Sequence, residues 1–584
     1  MKSFFKIFFA SLLAIIVFCL LAVFIIAWIV GSAMQPSKPN LGSKGVLVLD
    51  LSTSLNEQGQ DNPINSFADK ASYTPGLYDV VRMLHYAKYD STIKGLYIKA
   101  DDNSNGLAAS EELLRAVQDF KGSKKFVIAY GETMSERAYY IASAADKVYC
   151  HPAGGMEWDG YAVTLAFVKN LLDKLEIQPE IFYAGKFKSA TEPFRATEMT
   201  DPNRLQTSVW LGDLYNQLLQ QISTTRGIDT AQLHQLASSG AIQTANDALK
   251  YRLVDGLKYD NDIKTELLQR LHQGNKEKVN FINLSTYAEA VDYKSTSGSK
   301  IAVVFAEGDI VDGKAQRGTI ASDQYRDLLR KLRLDDDVKA IVLRVNSPGG
   351  SALASDVIAN EVTLARKAKP VVVSMGDYAA SGGYYISCSA DSIFANASTI
   401  TGSIGVFTMI PNLQSFFKNK LGITFDGVKT AEHADMMTVT RPLTQVERQF
   451  LQNNVDTTYN TFKQRVAAGR NKSMAYIDSI AQGRVWTGAR GIPVGIVDRI
   501  GTLQDAIAAA AKMAKTSSYY TRDYPEPKGW LEQLLENVSN PSIKEDKIEE
   551  QLGKKSYQLL LQLKNVQSMM GTPQAKLPFN PDIK

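Results

Sequence analysis

A serine set among small residues, Ala379-Ala380-Ser381-Gly382-Gly383, follows the apolar run Val371–Met375 and precedes Tyr384-Tyr385-Ile386, which reads as the start of a helix. A serine at a strand-to-helix turn is presented to a substrate, and the helix N-terminus offers unpaired N–H groups and a positive dipole end to a developing oxyanion. The motif departs from the nucleophile elbow G-x-S-x-G at its first glycine, which is Ala379 here. On its own, a cluster of small residues at a helix start more often serves close packing than catalysis. A second loop, Arg344-Val345-Asn346-Ser347-Pro348-Gly349-Gly350-Ser351, ends another apolar strand upstream of Ser381. A Pro-Gly-Gly turn can aim a main-chain N–H into a cleft with no side chain in the way, as one wall of an oxyanion hole requires; alone it reads equally as a tight turn.

A serine hydroxyl is a weak nucleophile and needs a base. None of the five histidines, His85, His151, His234, His272 and His433, sits in a setting that suggests a Ser-His-Asp triad. A lysine base is the recognised alternative, but lysine holds its proton to a pKa of ~10.4, so it must be buried to act near neutrality. The segment Tyr183-Ala-Gly-Lys-Phe-Lys-Ser-Ala-Thr-Glu-Pro-Phe194 offers Lys188, with Phe187, Ala190 and Phe194 as a poorly hydrated wall. Lys186 competes: strand alternation would place both lysines on one face. The Gly185-Lys186 pair is no phosphate loop, because the glycine required upstream is absent.

The elements that must hold these residues are written twice. Gly131-Glu-Thr-Met-Ser-Glu-Arg-Ala-Tyr-Tyr140 resembles Gly376-Asp-Tyr-Ala-Ala-Ser-Gly-Gly-Tyr-Tyr385 at an offset of 245 residues, each after an apolar strand (Phe126–Tyr130 and Val371–Met375) and before Ala-Asp. Leu253-Val254-Asp255 matches Ile496-Val497-Asp498 at an offset of 243. A period this long is a whole domain rather than a solenoid unit. Each copy alternates apolar strands (Gly95–Lys99, Ile301–Phe305, Ala340–Val345) with amphipathic stretches (Ser110–Phe120, Ser355–Lys367), which predicts an α/β fold with a largely parallel sheet. Helical periodicity over Arg204–Leu271 and Gln445–Ala514 predicts a helical layer in each copy. The position matching Ser381 in the first copy is Glu136, and the second copy carries Lys429 in Phe425-Asp-Gly-Val-Lys-Thr where the first has its lysine motif. If Ser381 works with a lysine of the first-copy motif, each copy supplies one half of the pair, and the site lies between repeats, within one chain or between neighbouring chains.

At the N-terminus Lys2 and Lys6 precede an apolar run from Phe8 to Val30, 23 residues long. That suits a membrane-crossing helix, which needs roughly 20, better than the apolar core of about 7–15 in a cleaved signal peptide. Gly31 and Ala33 would satisfy a cleavage site, so removal is the competing expectation. The positive flank leaves the N-terminus in the cytoplasm and the rest of the chain outside it. The expected layout is an anchor at 1–33, a first repeat at 34–290, a second at 291–515 and a C-terminal arm at 516–584. A formal net charge of +4, not gathered into any long Lys/Arg run, gives no nucleic-acid footprint. Cys19, Cys150 and Cys388 form no C-x-x-C pair and lie near no clustered histidines, so no metal or disulfide framework is signalled.

Taken together, Gly-Lys-Phe-Lys-Ser-Ala-Thr-Glu-Pro-Phe in the first copy, with Arg-Val-Asn-Ser-Pro-Gly-Gly, Ala-Ser-Gly-Gly-Tyr and Thr401-Gly-Ser-Ile-Gly405 in the second, resemble the long form of the protease IV (signal peptide peptidase A) family. The resemblance covers nearly the whole chain. It implies a tandem duplication of a crotonase/ClpP-like domain and a Ser-Lys serine peptidase without metal or cofactor. Carried over by motif, the nucleophile falls on Ser381 and the base on Lys188. Backbone donors fall near Gly350 and Gly382, and a hydroxyl orienting the neutral amine falls on Ser403. The resemblance further implies a homotetramer on the extracytoplasmic side of a bacterial inner membrane, acting on apolar extended peptides such as signal-peptide remnants. Two readings compete: a catalytically inactive scaffold, which would need a broken dyad, and a crotonase-like acyl-CoA enzyme, for which no basic CoA-phosphate patch is found.

Overall fold

Branched apolar runs bounded by turn residues form strands buried on both faces, as a parallel sheet covered by helices requires. The computed structural model describes residues 7–18, 21, 38–61, 73–274, 276–314, 318–526 and 572–577. In the first repeat six strands lie in the order Gly256–Leu257, Lys147–Met156, Phe126–Met134, Ile93–Lys99, Gly45–Asp50 and Phe281–Asn283, every neighbouring pair parallel. The second repeat repeats this plan with Arg499–Ile500, Ser392–Ala395, Val371–Ala380, Val338–Ser347, Ser299–Glu307 and Tyr519–Tyr524, again all parallel, and Ile400–Gly402 pairs parallel with the end of Val371–Ala380. Val485–Thr487 is added antiparallel at one edge. This sheet therefore takes in a strand beyond residue 515, and part of the C-terminal arm belongs to the second repeat.

The duplication is legible in hydrogen bonds as well as in strand order. Asp146 accepts from Val127 N–H at 2.8 Å, and Asp391 from Val371 N–H at 2.9 Å. Asp255 accepts from Val148 N–H and Asp498 from Ile393 N–H, each at 2.8 Å. The hydroxyl of Tyr139 donates to the Leu253 carbonyl as that of Tyr384 does to Ile496. Helices Asp201–Arg226 and Gln445–Arg470 form the expected helical layer, contributing Leu218, Leu219 and Ile222 to one core and Val455, Tyr459 and Phe462 to the other. Each begins at a threonine N-cap, Thr200 and Thr444, whose hydroxyl satisfies an otherwise unpaired helix N–H.

Two features are prominent among the contacts that join the repeats. Gln178–Ala184, from the first, pairs antiparallel along its whole length with Val406–Asn412 of the second, from Gln178 opposite Asn412 to Ala184 opposite Val406. The other is a buried ionic cluster. Arg344, fully buried, donates to Glu57 at 2.8 Å, to Glu112 at 2.7 Å and to Ser374 Oγ at 2.9 Å. Glu112 lies on helix Leu107–Lys121 of the first repeat, whose first-turn N–H groups at Ala108 and Ala109 are capped by Asp377 of the second at 2.8 and 3.1 Å. With two carboxylates against one guanidinium, burial outweighs the attraction of Arg344 at Glu57 and pushes its carboxyl up to about 7.

Among the described residues no helix is long and apolar enough to cross a membrane. Residues 7–18 are helical with exposed side chains, and most of the remaining apolar run to Val30 lies outside the described residues, as do 527–571 and 578–584 of the arm.

The ionic cluster yields a stability prediction. Arg344→Met leaves Glu57 and Glu112 buried without a cation and should destabilise the protein by about 3–5 kcal/mol. The deficit should be smaller at pH 5, where Glu57 is protonated, than at pH 8. Guanidinium unfolding at the two pH values measures both.

Candidate active site

Strand Val371–Ala380 runs five residues past its apolar core and delivers Ser381 directly to the N-cap of helix Gly382–Ser387. There the backbone turns abruptly. Ser381 has φ 55° and ψ −111°, a conformation rare for a residue with a side chain and worth about 1–3 kcal/mol of strain. Surrounding bonds hold it: Ser381 N–H donates to Gly402 O at 2.8 Å, and its carbonyl accepts from Tyr385 N–H at 2.8 Å. The first repeat lacks this elbow. Ser135 caps the matching helix with ordinary extended geometry, and Glu136 is its first helical residue. The Glu136 carboxyl is buried, accepts from Gly160 N–H at 3.0 Å, and is pushed up to about 7 by burial.

Lys188 arrives from the other repeat. Its strand ends at Ala184, and the chain turns at Gly185 before Phe187 N–H bonds to Gln482 O at 2.8 Å. The expected alternation of Lys186 and Lys188 on one strand face therefore does not hold. The strand has already ended, and Lys186 projects into solvent beside the Phe187 ring while Lys188 turns inward with 1% exposure. Behind it stands Gly483, where a Cβ would come within 2.7 Å of the Lys188 backbone. Gln206, on helix Asp201–Arg226, clamps the loop. Its Nε2 donates to Phe187 O and Ser189 Oγ, each at 3.1 Å, while its Oε1 accepts from Val485 N–H of the second repeat at 3.2 Å.

The two halves meet at hydrogen-bond distance. Lys188 Nζ lies 2.9 Å from Ser381 Oγ, 3.1 Å from Ser403 Oγ and 3.4 Å from Ser403 O. Among the described residues no carboxylate pairs with the amine, and burial pushes Lys188 down to about 7. A neutral amine has two N–H donors and one lone pair. Donating to the two Ser403 oxygens leaves the lone pair for the Ser381 hydroxyl proton.

The glycine loop faces this group. Gly349, at φ 104°, and Gly350 form a short strand with Ser351, packed so closely on helix Gly382–Ser387 that a Cβ on Gly349 would lie 2.7 Å from Gly382 N. The structure thus brings Ser381, Lys188, Ser403, Gly350 and Gly382 into one cleft between the repeats. Lys429, by contrast, forms a surface ion pair with Asp435 at 2.6 Å, far from any such role. Sequence reasoning missed Gln206, which no motif flags, and a strand of residues 574–576 that lies against Gly349–Ser351.

Fold and cleft define a serine protease built from two copies of one α/β domain, and comparison with known proteins agrees. Peptidase family S49 matches twice, over residues 119–273 and 363–517, and Clp protease matches residues 295–400. The chain is 38% identical to Protease 4 of Salmonella typhi over 79% of its length and 76% of the relative's. It is 34% identical to Protease 4 of Haemophilus influenzae, covering 85% of this chain and 83% of that one. A third relative, the putative signal peptide peptidase SppA of Enterococcus faecium, is 33% identical over 40% of this chain and 68% of its own. The chain belongs to peptidase family S49, in its tandem-repeat, protease 4 form.

Keeping an amine neutral at the cost of its charge opposes folding at neutral pH. The folded-state pKa of Lys188 is depressed, so the unfolded chain binds more protons between about pH 7 and 10.4, and the folding cost falls as pH rises through that window. Lys188→Met should therefore raise stability at pH 7 by up to about 4 kcal/mol, with the advantage fading toward pH 10. Thermal melts of both proteins across that range check it.

Proposed function

We propose that this chain is a membrane-anchored serine endopeptidase in which Ser381 attacks the peptide carbonyl and Lys188 is the general base. The observation that carries the reading is the 2.9 Å contact between the Ser381 hydroxyl and a fully buried lysine amine that has no counter-charge among the described residues. Neutral Lys188 takes the hydroxyl proton as Oγ adds to the carbonyl carbon, while N–H groups at Gly350 and Gly382 hold the oxyanion. The lysine then returns the proton to the leaving amine as the C–N bond breaks. Water, deprotonated by the same amine, releases the acyl group and regenerates the hydroxyl. Ser403 orients the amine throughout by accepting its N–H bonds.

Residues 1–33 serve as the anchor, and the catalytic repeats face the extracytoplasmic side of a bacterial inner membrane. The two lysines before a 23-residue apolar run support that orientation. Substrates are apolar extended peptides, of which signal-peptide remnants left in the bilayer are the natural source. Assembly into a homotetramer is supported by the exposed apolar side chains of Leu421, Ile423, Phe425 and Val428, a patch of the kind that marks an interaction surface.

A serine-reactive fluorophosphonate tests the dyad. Labelling and apolar-peptide hydrolysis should both fall about 10³-fold or more in Ser381→Ala and Lys188→Met. In wild type, kcat/KM should rise about tenfold per pH unit below 7 and level off above it, as the base form of Lys188 becomes the majority species. Full activity in Ser381→Ala would end this assignment.

A further inference from the structure

The lysine motif continues past its base into Thr191-Glu192-Pro193-Phe194, and the Ser-Lys reading leaves Glu192 without a role. Glu192 is buried, with 1% exposure. Its carboxylate accepts from the Thr200 N–H at 3.2 Å, the Thr200 hydroxyl at 2.5 Å and the Asn203 side-chain amide at 2.8 Å, with the Arg195 guanidinium 3.7 Å away. Thr200 and Asn203 stand at the start of helix Asp201–Arg226, whose positive dipole end suits a carboxylate. From Asn203 the bonds run on toward the base. Gln206 Nε2 shares its two hydrogens among Asn203 Oδ1 at 3.3 Å, Phe187 O and Ser189 Oγ, and the last two residues flank Lys188. Gln206 Oε1 accepts from Val485 N–H, next to Arg484, whose carbonyl accepts the Ser403 N–H at 2.7 Å. Asn203 and Gln206 are as deeply buried as Glu192.

This chain of bonds has a direction, and Glu192 sets it. An amide side chain can face a neighbour with either end, whereas a carboxylate only accepts. Facing Glu192, Asn203 must present Nδ2, which leaves its Oδ1 toward Gln206. Gln206 must then turn Nε2 toward Asn203 and the lysine loop, and its Oε1 remains for the backbone N–H of the second repeat. A neutral amide at 192 would accept from Thr200 with its oxygen and set its own nitrogen against that of Asn203. Reversing Asn203 would only pass the mismatch on to Gln206, and an unmade bond at this depth is costly. The chain also spaces the charge, because two amides separate the Glu192 carboxylate from the loop. The charged side chains over the Phe187 ring, Lys186 at 5.3 Å and Arg484 at 5.2 Å, are cations and would not favour an ammonium at Lys188.

We propose that Glu192 is a positioning residue for the base. As an acceptor-only group it fixes the polarity of the Glu192–Asn203–Gln206 chain, and through Gln206 it holds the Lys188 loop in register with the second repeat, where Ser381 and Ser403 lie. The loop is thereby anchored to a charged group with no anion placed beside the amine. The inference rests on the Ser-Lys reading for what the loop positions, while the polarity of the chain rests on the hydrogen bonds alone.

Rates of fluorophosphonate labelling of the full-length protein in detergent micelles, followed from about pH 6 to about pH 9, test this. Glu192→Gln should slow labelling about 10-fold at every pH, with the midpoint of the pH profile still at about 7. Adding Asn203→Asp to it sets a donor opposite an acceptor at each step again and brings the charge one residue nearer to Lys188. That double variant should label within about threefold of wild type at the alkaline end, and its midpoint should rise by about one pH unit, since a nearer anion favours the ammonium. Gln206→Glu, which sets a carboxylate against the loop itself, should move the midpoint in the same direction. A residue that served only the fold would lower the rate at all pH values and shift no midpoint. Unmoved midpoints in both acid-bearing chains, or a double variant no faster than Glu192→Gln at the alkaline end, overturn the proposal, and if one of these chains does not fold the other decides. Lys188→Met is labelled alongside. Labelling there at the wild-type rate ends the Ser-Lys reading and the positioning role with it, whereas labelling lost there with unmoved midpoints elsewhere overturns the positioning role alone.

Discussion

The site depends on one amine kept out of water. In the proposed mechanism Lys188 acts only if it is neutral, and among the described residues burial without a neighbouring carboxylate is what keeps it so. Its surroundings follow from that constraint. The strand Gln178–Ala184 leaves its own repeat and pairs with Val406–Asn412, and the loop that follows it is buried against the second repeat. Gln206 satisfies that loop's backbone with an amide rather than a charge. Ser403 offers the amine hydroxyl and carbonyl acceptors, which orient it without raising its pKa as a carboxylate would.

The duplication gives a physical reason for the division of labour between the copies. A complete dyad in each would require two buried, uncompensated lysines, each opposing folding at neutral pH. The first copy instead fills the nucleophile position with Glu136, whose carboxyl packs against Gly160 N–H and needs no strained elbow. The second copy leaves its lysine counterpart, Lys429, on the surface beside Asp435. Among the described residues one strained serine elbow and one fully buried lysine remain, and each repeat braces the half supplied by the other. The Arg344 cluster performs the same bracing away from the cleft, tying Glu57 and Glu112 of the first repeat to the second repeat's sheet.

Much of this was legible in the chain before its structure, and the reasons differ by feature. The strands are legible because Val371–Met375 and Ala340–Val345 carry the unbroken apolar runs that parallel sheets demand. The duplication was visible in Tyr139-Tyr140 against Tyr384-Tyr385, which serve the same helix in each copy. The choice between Lys186 and Lys188 was not open to periodicity, since the strand on which alternation would operate stops at Ala184 and a glycine turn resets the direction. Gln206 and the ionic cluster were invisible for a related reason: a buried polar residue is betrayed by its partners, and these lie 279 and 287 positions away in Val485 and Glu57. The 574–576 strand is too short to signal itself and exists only because two strand edges flank it.

The two-edged gap also bears on what kind of substrate recognition the fold permits. Gly349–Ser351 and Val406–Asn412 present main-chain donors and acceptors, which any extended peptide can satisfy regardless of sequence. Selectivity must then come from the few places where a side chain meets a wall. The cluster of Trp210, Leu214, Ala380, Ile400 and Val485 is the apolar wall, and it receives Leu577 in the present structure. A chain that could not unfold into a strand would be excluded by geometry, because both edges must be paired at once. An apolar, unstructured peptide meets both conditions. A folded domain fails the second condition, so under the proposed function the arrangement favours extended peptides over intact proteins.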